Sequence, residues 1–180
     1  MDIHLSLFVC LNYNVEEMEY QKMKKKVLII LKSFLVILFG VFLFNELSGP
    51  SMSLTDFAVV ENNVMKKMAD YDLEKQSRQT IKKNLGIDPS NYENIVYYKS
   101  QDPMDVREIV IVKFKDINQG DKFKEAMLNR IDGQIKAFNG YGVDQVGLLK
   151  KAVVSVDMNY AIYVTCDKAN NVISLYKEQL

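Results

Sequence analysis

Few residues in this sequence are able to do nucleophilic or metal chemistry. The only histidine is His4, and the two cysteines are Cys10 and Cys166. A Ser–His or Cys–His catalytic pair needs a base beside the nucleophile, and a zinc site needs clustered cysteine and histidine ligands. No glycine-rich loop follows a strand and opens a helix, as a phosphate site requires. The sequence therefore predicts no catalytic nucleophile, no metal site and no cofactor.

Carboxylates are the remaining candidates for acid–base chemistry. Glu108 follows Arg107 and lies within a strongly apolar stretch of the chain. Burial in such a stretch disfavours the charged form of a carboxylate unless a cation pairs with it. Glu108 is therefore the candidate acid if the protein is a hydrolase. The favoured interpretation is an ion pair at the end of a strand, because perturbed carboxylates are more often structural than catalytic.

A second group of polar residues surrounds the end of the longest predicted helix. Arg130 and Gln134 are one helical turn apart, and Tyr141 and Gln145 follow on the bend FNGYGVDQ. As a binding site, the four side chains would suit a small polar ligand, a peptide backbone or a protein partner. As structure, they would satisfy the carbonyl groups at the helix end. The structural interpretation is favoured because buried backbone groups need partners in any case.

The apolar patterns around these residues predict the elements that must hold them. From residue 54 onwards the predicted order is α-α-β-β-α-α-β-β-α, which indicates an α+β domain with one four-stranded, mostly antiparallel sheet packed by helices. Helices are predicted over residues 54–68, 73–85, 119–138, 144–151 and 168–179. Strands are predicted over residues 93–100, 104–115, 152–157 and 160–166.

Two of these strands have informative faces. The strand over 104–115 is apolar on both faces at its centre, which is typical of a central strand covered on both sides. Cys166 lies on the predicted buried face of the last strand. A buried thiol is more often part of the core than a reactive group, so a structural role is favoured for Cys166.

A long apolar segment precedes the domain. Between Val27 and Phe44 only Lys32 and Ser33 are polar, and a helix over this segment spans ~27 Å, close to the thickness of the membrane hydrocarbon. Lysines flank it on the N-terminal side alone, so the positive-inside rule places the N-terminus in the cytoplasm and residues 45–180 outside. The sequence predicts a single-pass anchor in the cell membrane. A signal peptide cleaved near residue 52 and a buried core helix are the alternatives.

The predicted organisation has four parts: a leader over residues 1–22, a transmembrane anchor over 23–45, a linker over 46–52 and an extracytoplasmic domain over 53–180. Met23 is followed at once by lysines, as in many exported bacterial chains. Residues 1–22 are therefore either an artefact of gene calling or a short cytoplasmic tail. The outer domain has no block of like charge, which disfavours electrostatic capture of nucleic acid, so no nucleic-acid partner is expected.

Several short motifs resemble one bacterial family. The residues that carry the likeness are Arg107-Glu108-Ile109, Ile111-Val112-Lys113, Arg130, Gln134, Phe138, Gly140-Tyr141, Gln145, Ala152-Val153 and Asn159-Tyr160. Over about residues 54–178 the chain resembles the uncharacterised domain-of-unknown-function family 4358. The resemblance implies an anchored extracytoplasmic domain and brings no catalytic residues or substrate. The chain departs from many members in having no cysteine just after the apolar segment, so it lacks their site for lipid attachment.

The functional hypothesis rests on three observations: the predicted anchor, the nearly neutral charge of the outer domain, and the lack of residues for a catalytic nucleophile or a metal site. It is a membrane-anchored extracytoplasmic domain of the bacterial cell envelope that acts as a non-enzymatic binding or interaction module. The expected partners are the membrane itself and an envelope protein or cell-wall component. The alternatives are an envelope hydrolase that uses carboxylates and a small-ligand sensor that uses the region of Tyr141.

Overall fold

The computed structural model describes residues 3–47 and 52–180. The chain divides into two compact units, residues 1–49 and 50–180. The first unit is a helix, α1, over Ile3–Leu47. Within it, Lys22–Phe44 has a mean hydropathy of 2.8 and is long and apolar enough to cross a membrane, although a signal sequence would meet the same criterion. Residues 48–51 of the predicted linker lie outside the described residues.

The second unit is an α+β domain, which confirms the predicted fold class. Within residues 52–180 its α-helices are α2 (Phe57–Lys67), α3 (Arg78–Leu85), α4 (Gly120–Phe138), α5 (Val143–Leu149) and α6 (Ala169–Glu178). Its strands are β1 (Leu73–Lys75), β2 (Asn94–Ser100), β3 (Glu108–Lys113), β4 (Val153–Asp157) and β5 (Tyr160–Thr165). They form one sheet in the order β1-β2-β3-β5-β4, and every neighbouring pair is antiparallel.

The prediction of four strands was wrong, because the sheet has a fifth strand inside the predicted helix over 73–85. β1 pairs with the end of β2, so that Leu73 lies opposite Ser100. The helix begins only at Arg78, where the Ser77 side chain accepts a hydrogen bond from the Thr80 amide at 3.2 Å. Three residues are too few to show an alternating pattern, so pairing with β2 decides the conformation of this segment.

The first helix of the domain also begins later than predicted. The Asp56 carboxylate accepts a hydrogen bond from the Ala58 amide at 2.8 Å and caps α2, which starts at Phe57. Leu54, which the helical pattern included, is 98% exposed. Side chains such as Asp56 compete with the helix for backbone groups and are favoured at the cap, which fixes this boundary.

The central strands β3 and β5 are covered on both faces, as the two apolar faces of β3 predict. Ile109 and Ile111 of β3 belong to the core beneath α2 and α6, which also contains Cys166. Val110 and Val112 belong to the core beneath α3 and α4. Burial of apolar surface against helices on both faces stabilises the sheet and fixes its register, because a shift of one residue would exchange the two faces.

The two ends of the sheet have different roles. The chain enters the domain at one end, where the Ser53 amide donates to Asn159 Oδ1 at 2.8 Å in the turn between β4 and β5. Gly120 begins α4 at the same end, and a Cβ atom there would lie 2.7 Å from Val156 Cγ1. α4 is ~28 Å long at about 1.5 Å per residue. It ends at Phe138, which packs with Val106 just before β3, at the opposite end of the sheet.

Candidate functional site

Glu108 lies at the first position of β3, beneath α4. Its side chain points to the same face as Val110, and the residue is only 1% exposed. Tyr97 on β2 and Tyr163 on β5 both lie opposite Val110 in the register of the sheet. Because residues two positions apart share a face, the two tyrosine side chains flank the carboxylate of Glu108.

Both tyrosines donate hydrogen bonds to that carboxylate. The Tyr97 hydroxyl donates to Oε2 at 2.6 Å, and the Tyr163 hydroxyl donates to Oε1 at 2.8 Å. The Thr165 hydroxyl lies 2.8 Å from the Tyr163 hydroxyl and donates to it. The strands alone therefore supply one donor to each carboxylate oxygen.

Helix α4 supplies the remaining partners from above. Arg130 Nε donates to Glu108 Oε1 at 3.1 Å, and Nη2 donates to Oε2 at 3.0 Å, which makes a bidentate ion pair. Gln134 lies one turn further along. With its amide oriented by these neighbours, its nitrogen donates to Oε1 at 3.1 Å and its oxygen accepts from Arg130 Nη2 at 3.0 Å. These residues form the Glu108 cluster, which consists of Glu108, Tyr97, Arg130, Gln134, Tyr163 and Thr165.

The electrostatics of the Glu108 cluster keep its donors protonated. Burial, together with the charge of Glu108, raises the pKa values of Tyr97 and Tyr163 well above the usual value for tyrosine. Burial opposes the charge of Arg130, but the hydrogen bonds and charge of Glu108 outweigh it and raise the pKa of the guanidinium group. The cluster is therefore a buried ion pair in which both oxygens of Glu108 accept hydrogen bonds. Breaking such a pair leaves an uncompensated buried charge, so the cluster holds α4 to the sheet.

Tyr141 and Gln145, the other two predicted site residues, lie apart from Arg130 and Gln134. Tyr141 is 65% exposed, and its ring packs against Phe138 with 5.7 Å between ring centroids. Gln145 Nε2 donates to the carbonyl oxygen of Met104 at 3.1 Å and so joins α5 to the loop before β3. The structure thus divides the four residues between the buried Glu108 cluster and the surface at the end of α4.

A groove of about 320 Å³ lies where α4 meets α5. We call this surface the α4–α5 corner. It comprises the groove residues Phe138, Asn139, Gly140, Gly142, Val143, Val146, Gly147 and Lys150, with the adjoining Tyr141. Val143 is 81% exposed beside the groove. Glycine is required at two of these positions, because Gly140 has a φ of 95° and a Cβ on Gly142 would lie 2.7 Å from Phe138 Cδ1.

A smaller polar pocket of about 240 Å³ lies at the start of α6 and includes Cys166, Asp167 and Lys168. The Cys166 thiol is fully buried, and burial raises its pKa, which disfavours the reactive thiolate. The Tyr71 hydroxyl donates to Asp167 at the rim of this pocket. Among the side chains that the structure describes, those of residues 20, 22–44 and 52–180, no three histidine, cysteine or acidic groups come together as a metal site would require.

The sequence patterns did not identify Tyr97, Tyr163 or Thr165 as partners of Glu108. Each stands in a strand whose neighbours are apolar, which indicates core positions and conceals the hydroxyl groups. The hydroxyl group of each side chain was the signal that could have identified these residues, because a buried tyrosine hydroxyl usually has a hydrogen-bond partner. Only the register of β2, β3 and β5 shows that these tips meet at one carboxylate.

Comparison with known proteins gives one positive result. Neither the curated proteins nor the solved structures contain a match to this chain. A family model described as "Domain of unknown function (DUF4358)" matches residues 66–166, which include the Glu108 cluster and the α4–α5 corner. Because this match covers more than half of the chain, the protein is a member of the DUF4358 family.

Proposed function

We propose that the protein is a membrane-anchored binding module of the bacterial cell envelope, without enzymatic activity. Residues 23–45 would be the anchor and residues 53–180 the extracytoplasmic domain. The apolar stretch Lys22–Phe44 and the lysines on its N-terminal side support this orientation. The α4–α5 corner would be the surface that contacts the partner.

The observation that carries this proposal is the exposed apolar surface of the corner. Tyr141 and Val143 are 65% and 81% exposed, and they stand beside a groove that is open to solvent. Exposed apolar side chains next to a groove are typical of contact surfaces, and tyrosine is enriched at such contacts. The corner also lies at the end of the sheet opposite the entry of the chain, so a partner can approach it without meeting that segment.

The chemistry of the groove favours an envelope protein as the partner. Phe138 and Val146 provide apolar walls, and Gly147, which has open space where a Cβ atom would lie, lets a partner backbone approach closely. Lys150 adds a positive charge at the groove. A protein segment with an apolar anchor residue beside an acidic residue would match these features. A cell-wall component would be the competing outcome.

The alternative of a hydrolase through Glu108 receives no support from the geometry of the cluster. A general acid must reach the proton acceptor on the substrate within hydrogen-bonding distance. Glu108 is 1% exposed, and both of its oxygens already accept hydrogen bonds from protein donors. A small-ligand sensor would use the same corner, and the experiment below separates it from a protein-binding module.

The test is site-specific photo-crosslinking in intact cells. A photoreactive residue replaces Val143 in the full chain, and the matched control carries it at Val59, a 47%-exposed valine on α2. We expect a discrete protein adduct from position 143 and none of the same mass from position 59. Tyr141→Ala, introduced with the probe at 143, should reduce that adduct severalfold by removing the exposed aromatic contact.

Two results would overturn the proposal. One is the same pattern of adducts at positions 143 and 59, which would indicate random collisions. The other is a complete lack of protein adducts at 143 while the chain remains in the membrane. If the only adducts contained cell-wall material, the partner would be an envelope polymer and not a protein.

A further inference from the structure

The two edges of the sheet differ in how they are protected. β1 is three residues long, and its sequence LEK places charged side chains on the edge. Lys75 of β1 forms an ion pair with Glu61 at 2.7 Å. Short length and charge are the usual devices that keep an edge strand from pairing with another chain. β4 has the sequence VVSVD, with three valines and neither lysine nor proline.

β4 is also open along its outer side. It pairs with β5 alone, through the register Val153↔Val164 to Asp157↔Tyr160. Within the described part of the chain, no other hydrogen bond reaches the backbone of residues 153–157. Val156 is 38% exposed, and the other four residues of the strand are partly buried. An apolar edge with free backbone groups is a template for an added strand.

We propose that β4 pairs antiparallel with β4 of a second copy of this chain, so that two five-stranded sheets join into one. This inference goes beyond the proposed binding function and does not depend on the α4–α5 corner, although the membrane setting of its first test rests on the proposed anchor. The two-fold axis would pass at Ser155, the middle residue of the strand. Val154 would then lie opposite Val156 of the second copy, which buries apolar side chains on the face of α4.

The charges at the ends of β4 favour a second copy over an unrelated strand. Lys151 is exposed just before β4, and Asp157 is the last residue of the strand. Within one chain Asp157 also pairs with Lys177 of α6 at 3.2 Å, so Lys151 of a second copy would be a second cation beside the same carboxylate. In the antiparallel pairing centred on Ser155, Asp157 of each copy lies diagonally opposite Lys151 of the other, on the same face. The strand is therefore complementary to itself, and symmetry provides this contact twice.

The proposed pairing is also compatible with two chains that enter from one side. The segment after residue 52 packs on the face of α2 and α6, where the Thr55 hydroxyl donates to the carbonyl of Gln179 at 2.7 Å. A two-fold axis perpendicular to the joined sheet keeps equivalent faces on the same side. Both entry segments would therefore lie on one face, as anchoring in a single membrane requires.

The first test is disulfide cross-linking of the full chain in its membrane. A Cys10→Ser background carries Ser155→Cys, and the matched control carries Glu74→Cys, the middle residue of the other edge strand. Cys166 is retained because it is fully buried. Directly opposed residues of antiparallel strands are about 4.5–5.5 Å apart at Cα, which permits a disulfide. We expect a covalent dimer from Ser155→Cys upon mild oxidation and a monomer from Glu74→Cys.

The second test is a charge exchange that only a self-pairing strand can rescue. All chains in this test carry Lys177→Gln, because Lys177 pairs with Asp157 within one copy at 3.2 Å. Lys151→Asp or Asp157→Lys alone should then each weaken the Ser155→Cys cross-link by roughly tenfold, because like charges would face each other twice. The two changes together should restore it. A monomeric Ser155→Cys chain, equal cross-linking at Glu74→Cys, or no rescue by the double exchange would overturn the proposal. An adduct of Ser155→Cys with a different protein would overturn it as well and would assign the edge to a foreign strand.

Discussion

Replacement of Arg130 by methionine should cause a large loss of stability. Arg130→Met keeps much of the apolar stem of the side chain but removes the guanidinium group that bonds both oxygens of Glu108. The Glu108 side chain is 2% exposed, so water cannot replace the lost partner without opening the core. Tyr97, Tyr163 and Gln134 would remain as donors, but none of them carries a positive charge.

The expected magnitude follows from the burial of the pair. Removal of one partner from a buried ion pair costs about 3–5 kcal/mol. The Arg130 side chain is 22% exposed, and three neutral donors remain, so we expect the lower end of this range, about 3 kcal/mol. For a domain of this size, such a loss corresponds to a fall in Tm of roughly 10 °C.

The assay is thermal unfolding of the full chain in detergent, followed by near-ultraviolet circular dichroism of the tyrosines. Lys82→Met is the matched control, because Lys82 forms an exposed ion pair with Asp88 in which the side chains are 68% and 40% accessible. That control should leave the free energy of unfolding nearly unchanged, because solvent screens an exposed ion pair. Adding Glu108→Gln to Arg130→Met should recover part of the loss, since no buried charge is then left unpaired. Equal, small effects of Arg130→Met and Lys82→Met would refute a structural role for the Glu108 cluster.

Three further predictions concern pH, a glycine and the buried thiol. Burial, with the nearby acidic residues Asp56 and Glu93, raises the pKa of Tyr160 to about 12, and burial with Glu108 raises that of Tyr97. Tyrosine in the unfolded chain ionises near pH 10. Above about pH 10 the unfolded state therefore releases protons that the folded state retains. The free energy of unfolding should fall as the pH rises towards 12. Denaturant unfolding at a series of alkaline pH values checks this, and a flat profile would contradict it. Gly140→Ala should lower the free energy of unfolding by about 1 kcal/mol, because φ is 95° at this position. Gly147→Ala is the control and should be neutral or stabilising in the same thermal assay, because Gly147 lies within α5 and has no close neighbours. In a Cys10→Ser background, Cys166 should react with a thiol reagent only as fast as the domain opens, and rapid labelling of the folded chain would show that the thiol is accessible.

Much of the fold could be predicted because its main signals are local. The apolar stripe of α4 and the two apolar faces of β3 each reflect burial that every residue of the element shares. β1 could not be predicted in this way. Its three residues adopt a strand because β2 lies beside them, and no local pattern encodes that neighbour.

The candidate site was less predictable because its residues come from separate elements. Sequence spacing identified Arg130 and Gln134 as neighbours on one helix, and it identified Glu108 as a carboxylate in an apolar strand. It could not show that they meet, because the meeting depends on the packing of α4 over β3 and on the register that brings in Tyr97 and Tyr163. The sequence spacing also grouped Tyr141 and Gln145 with Arg130 and Gln134. In the structure the chain turns away from Glu108 at the end of α4, so these two residues lie towards the surface.

The most direct test of a membrane-anchored binding module compares the accessibility of two matched thiols. Val143→Cys lies at the α4–α5 corner and Val59→Cys on α2, each in the full chain with Cys10→Ser and with the buried Cys166 as the blank. A membrane-impermeant maleimide is applied to intact cells and to the purified chain. We predict that Val59→Cys is labelled at similar rates in both, whereas Val143→Cys is labelled severalfold more slowly in cells because a partner covers it. Equal rates at Val143→Cys in cells and in the purified chain would contradict partner binding at the corner, and absence of labelling at both positions in intact cells would contradict the extracytoplasmic location.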